Sequence, residues 1–172
     1  MASRTCRVRC TATASCIIAT GFQQPTLLAV RPDGSGDVTK THVAWTLRRA
    51  APLTPSPLIV GDEIYVVNDG GIASCLDART GDTRWQQRLG GDYSASPVFA
   101  DGRIYFLNEE GMATAIAPGK AFVRLATASL DGATLASIAV ADGSFFIRSD
   151  THCTASPTRP EAERATQSYF FS

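Results

Sequence analysis

Residues 56–97 read SPLIVGDEIYVVNDGGIASCLDARTGDTRWQQRLGGDYSASP, opening on Ser56-Pro57 and closing on Ser96-Pro97 forty positions later. Between the two Ser-Pro marks lie four short stretches with strand character. Residues 58–60 are a Leu-Ile-Val run ended by Gly61-Asp62, and residues 64–67 are Ile-Tyr-Val-Val, ended by Asn68-Asp69-Gly70-Gly71. Those glycines supply the positive φ that a tight hairpin requires. Residues 72–76 form a third run, closed by Asp77-Ala78-Arg79-Thr80-Gly81, and residues 83–89 alternate around Trp85 as a fourth. At the corner after the third run, Gly81 suits the left-handed position while Asp77 or Thr80 bonds to turn backbone.

The unit repeats. Ser137-Ile138-Ala139 stands forty-one residues after Ser96, with Ile in place of the proline. Eight residues beyond each Ser comes an apolar pair (Ile64-Tyr65, Ile104-Tyr105, Phe145-Phe146), each preceded by a turn dipeptide: Gly61-Asp62, Asp101-Gly102 or Asp142-Gly143. Trp45 and Trp85 are forty apart, with Leu125 at the third equivalent place. No stretch carries apolar residues at 3.6 spacing over ten or more positions. The second run of each unit is apolar on successive residues, so it is buried on both faces. Four-stranded antiparallel units stacked face to face are the blades of a β-propeller. The predicted fold is all-β: roughly three and a third blades of about forty residues, an incomplete propeller.

The pattern Ala73-x-x-Leu76-Asp77-x-x-Thr80-Gly81-x-x-x-Trp85 resembles the PQQ-like β-propeller repeat of quinoprotein alcohol dehydrogenases and of outer-membrane assembly propellers of the BamB type. In that family the Trp docks on the Thr-Gly corner of a neighbouring repeat. The resemblance therefore implies blade-docking roles for Trp45, Trp85, Asp77, Thr80 and Gly81. The turn before Trp45 is about six residues longer than the one before Trp85. The third copy has Pro118-Gly119 at the corner and Leu125 for the Trp, and is expected to keep its strands and lose the docking contact.

Expected repeat units cover 17–56, 57–96, 97–137 and 138–152, flanked by off-pattern segments 1–16 and 153–172 that are expected to be disordered. Extending the period forward sets Thr154 opposite Ala73 and Pro157 opposite Leu76, where proline would delete a ladder bond. Extending it backward finds no apolar run before Ile17. The expectation is a part of a larger propeller, or a small one completed by oligomerisation.

Sixteen Lys and Arg balance sixteen Asp and Glu, which argues against a nucleic-acid partner. No run of about eighteen apolar residues is present to span a membrane as a helix. The five cysteines (Cys6, Cys10, Cys16, Cys75, Cys153) include no CxxC pair, so a structural zinc site is not expected. Cys75 reads as a buried small hydrophobe. The Arg-rich leader lacks the apolar segment of a signal peptide, although the resemblance points to the bacterial periplasm or cell envelope.

Of the two histidines, His42 reads as a surface or packed residue. His152 beside Cys153 falls where the pattern dissolves. Glu109-Glu110 occupies a hairpin position equivalent to Asn68-Asp69, and Arg84, Gln86 and Arg88 share one face of an exposed strand. No catalytic, cofactor or metal residues are assigned. The expected role is a non-catalytic scaffold that binds a protein partner or self-associates through blade edges. The alternative is a fragment of a PQQ-dependent dehydrogenase.

Overall fold

The computed structural model describes residues 5–10, 15–21 and 24–158. The expected disorder of residues 1–4, 11–14 and 159–172 lies outside the described residues. The first sheet has the order β1 (Thr5–Cys10), β2 (Cys16–Gly21), β3 (Thr26–Val30), β4 (Val43–Leu47). The second runs β5 (Leu58–Val60), β6 (Glu63–Val67), β7 (Ile72–Asp77), β8 (Thr83–Arg88). The third runs β9 (Val98–Ala100), β10 (Arg103–Leu107), β11 (Met112–Ala117), β12 (Val123–Ser129). The last has three strands: β13 (Ala139–Ala141), β14 (Ser144–Arg148), β15 (Cys153–Pro157). All pairings are antiparallel between chain neighbours, so each sheet is a meander, the blade the repeat implied. The Asp101-Gly102 turn between β9 and β10 has φ of 50° and 72°, the mirror-image turn that matches strand twist.

Successive residues of the second strand serve opposite seams. Ile64 and Val66 pack with Ile17, Ala19, Leu27 and Ala29 of the first blade. Tyr65 and Val67 pack with Ile104, Phe106 and Ile116 of the third. A third seam joins Leu107 and Ala100 to Phe145 and Ile147 of the fourth blade. Fully burying one such side chain contributes about 1.5–3 kcal/mol, so the three seams carry the stability. The core lies between the blades.

Two strands exceed the sequence pattern. β1 pairs with β2 from Thr5↔Gly21 to Cys10↔Cys16. Its sequence, TCRVRC, has no apolar run. β15 pairs with β14 from Arg148↔Cys153 to Ser144↔Pro157. The β14–β15 turn is one residue shorter than its counterparts, which moves Pro157 from the position of Leu76 to that of Asp77, at the strand's end. Ser149 N–H bonds His152 O at 2.8 Å, and Thr158 N–H bonds Gly143 O at 2.9 Å. Antiparallel alternation then makes Ser144↔Pro157 a non-hydrogen-bonded pair, where proline deletes nothing. With β1 and β15 in place, the fourth blade alone is short of a strand among the described residues.

The third blade also departs from the count. Trp85 lies opposite Cys75 and Trp45 opposite Ala29, each beside a bulge. In the third blade Ala126 lies opposite Ala115. The corner there holds one more residue, so Leu125 falls in the bulge and is exposed rather than standing in the tryptophan's register.

Candidate functional site

The Asp77–Gly81 corner is built by its own side chains. Gly81 N–H bonds Asp77 O at 2.9 Å. Asp77 Oδ1 accepts from the amides of Arg79 (2.9 Å) and Thr80 (3.2 Å), and Thr80 Oγ1 accepts from Asp82 N–H at 3.2 Å. These amide bonds, Arg79 foremost, hold the Asp77 carboxyl below its ordinary range, against the effect of desolvation; Arg84, at 2.7 Å, adds to it. Trp45 lies flat against the corner. A Cβ on Gly81 would sit 2.5 Å from Trp45 Cδ2, and Trp45 Nε1 donates to Ala78 O at 3.2 Å.

Trp85 belongs to the next seam, away from Thr80 and Gly81. Its Nε1 donates to Gly119 O at 3.1 Å while Gly119 N–H donates to Tyr65 Oη at 2.7 Å, so the second blade grips both polar atoms of one peptide residue. Phe122 packs its edge on Trp85 with ring centroids 5.2 Å apart. The third corner therefore keeps the receiving half of the contact despite its Pro118-Gly119. Tyr65 Oη donates in turn to the Glu63 carboxylate. Burial, then this bond to Glu63, pushes the Tyr65 phenol well above its ordinary value. Burial also pushes the Cys75 thiol up to about 11. Arg84 lies 3.5 Å from Glu63, and its Nε is buried without a hydrogen-bond partner.

Sequence reasoning used Ser56, Ser96 and Ser137 as landmarks and missed their role. Ser56 N–H donates to Ser96 Oγ, and Ser96 N–H to Ser137 Oγ, both at 2.9 Å. The forty-residue spacing was itself the signal. It also missed Tyr65 and Gly119, whose pairing spans 54 positions and has no periodic mark.

The remaining polar candidates bond locally. His42 Nδ1 is 2.7 Å from Thr41 Oγ1, and His152 Nδ1 is 2.8 Å from Thr151 Oγ1. Glu109 accepts from Ser94 Oγ, and Asp69 accepts from the amides of Leu53 and Thr54. A cleft of about 460 Å³ between the third and fourth blades is lined by Glu109, Thr134, Leu135, Arg148 and Asp150.

The sequence profile of the family described as outer membrane protein assembly factor BamB matches residues 29–163. The chain belongs to this family. BamB from Moraxella catarrhalis has the same fold, with a TM-score of 0.60 and 19% identity over 86% of this chain and 42% of that one. A europium-containing methanol dehydrogenase is similar at TM-score 0.55 and 13% identity, covering 77% of this chain and 27% of the enzyme. BBS1N, solved in complex with ARL6DN, gives 0.64 at 10% identity, over 90% of this chain and 51% of its own. No curated protein matches in sequence. This BamB-family chain thus spans less than half the length of the BamB it resembles.

Among the described residues of this BamB-family chain, no three His, Cys, Asp or Glu side chains gather into a set that could hold a metal ion. Asp69 and Asp77 are instead spent on backbone amides of turns.

Proposed function

We propose that the chain is a non-catalytic scaffold of PQQ-like blades that binds protein, taking an extended strand of a partner or of another copy on the open edge of β15. The observation that carries this is the edge itself. Every residue of β15 is exposed and pairs on one side among the described residues. The ladder places Thr154 and Ser156 toward β14, so Cys153, Ala155 and Pro157 direct their backbone outward. An added strand finds two amide donors there, at Cys153 and Ala155, which is strand addition to a sheet edge. Phe146, next to the edge, is 41% exposed, while Tyr65, in the same position two blades earlier, is fully buried.

The test is Ala155→Pro. It removes an outward N–H and spares the β14 ladder, so melting should be unchanged while self-association, read by sedimentation equilibrium, or binding of an isolated partner strand falls. Association that persists in Ala155→Pro overturns the reading. The likeness to a methanol dehydrogenase supports a second reading, a piece of a quinone-dependent enzyme. Reduction of a redox dye after adding pyrroloquinoline quinone and calcium would establish it.

A further inference from the structure

The register of the first hairpin brings two cysteines together. β1 and β2 end on the pair Cys10↔Cys16, while Cys6 lies opposite Thr20. The kind of pair follows from the second blade. Asn68 N–H bonds Ile72 O there, which makes Ile64↔Leu76 a hydrogen-bonded pair. Trp45 opposite Ala29 and Trp85 opposite Cys75 align Val30 with Leu76, and Cys16, opposite Val30, aligns with Ile64. Cys16 therefore directs its backbone groups toward β3. Its pairing with Cys10 is then of the non-hydrogen-bonded kind, the closer of the two. Facing Cα atoms in such a pair are about 4.5 Å apart, inside the roughly 4.4–6.8 Å a disulfide spans. Ile17, the next residue, is buried against the second blade, whereas Cys16 is half-buried on a strand whose alternate residues face away from it.

We propose that Cys10 and Cys16 form a redox-active site that closes as a cross-strand disulfide and ties β1 to β2. The closing step is thiol–disulfide exchange with oxidised glutathione or another low-molecular-weight disulfide. One cysteine thiolate attacks a sulfur of the oxidant, forming a mixed disulfide and expelling one glutathione thiolate. The second cysteine thiolate displaces the other glutathione. The protein loses two hydrogens, and one oxidised glutathione becomes two reduced ones. A bridge closing so short a loop restrains the unfolded chain modestly; its effect is to hold β1 on the first blade.

The test uses the full chain, equilibrated in mixtures of reduced and oxidised glutathione, acid-quenched and digested with trypsin. Cleavage after Arg9 and Lys40, with the Arg31-Pro32 bond resistant, yields one peptide holding Cys10 and Cys16 and leaves Cys6 elsewhere. The expected product in native buffer is that peptide two mass units lighter, at a glutathione ratio at least about tenfold more reducing than is needed in denaturant. Cys10→Ser abolishes the shift, and Cys6→Ser leaves it in place. Two glutathione adducts on the peptide, or equal closure in native buffer and denaturant, would overturn the proposal.

Discussion

At the scale of single residues the seams hang on a few close approaches. Gly81 combines φ of +77° with a tryptophan where its side chain would be. Gly81→Ala should cost about 2–4 kcal/mol, from left-handed strain and displacement of the indole together. A urea-unfolding midpoint that barely moves would mean Trp45 is not held by this corner. Tyr65 and Tyr93 set the alkaline limit. Burial raises both phenols, Tyr93 to about 12 and Tyr65 further. Because the folded form keeps protons that the unfolded form releases near pH 10, their contribution is whole below pH 10 and declines as pH rises above it. Tyr65→Phe should reduce that slope, measured as melting temperature between pH 9 and 11. Asp77 acts with the opposite sign, since its lowered pKa gives stability above the ordinary carboxylate range that disappears on acidification through the folded value.

At the scale of elements, most strands were legible because blades are apolar on both faces and their turns carry Asp, Asn and Gly at a fixed period. Three things were not legible, each for a physical reason. β1 is TCRVRC, whose sequence has no apolar run to mark a strand. The fourth hairpin turns on Asp150-Thr151 without glycine, so a count by period misplaces Pro157 by one residue. Leu125 was counted into the tryptophan's place because one added corner residue cannot be seen from spacing alone. Proline tolerance along β15 checks the corrected register. Pro157→Ser should change stability by less than about 0.5 kcal/mol, whereas Ser156→Pro, which removes an amide directed at β14 and leaves its carbonyl partner unpaired, should cost about 1–3 kcal/mol. Hydrogen exchange of the β14 amides would report the difference, and equal effects would contradict the pairing.

For the whole molecule, the docking residues implied by the repeat do not converge on one place. Trp45, Asp77, Thr80 and Gly81 meet at the first seam, and Trp85 acts at the second. The residues form two successive joints, linked through the second blade. The second blade serves as receiver on one face and docking piece on the other, and in such a row stability is a sum of neighbour terms. The serine chain gives this row of blades a direction. At two successive joints an amide leans on a hydroxyl of the next repeat, from Ser56 to Ser96 and from Ser96 to Ser137. Pulled apart by its ends, the molecule should behave like a ratchet with unequal teeth. The fourth blade, with one seam and three strands among the described residues, yields first. Each later release then pays out roughly 140 Å of chain, the reach of forty extended residues.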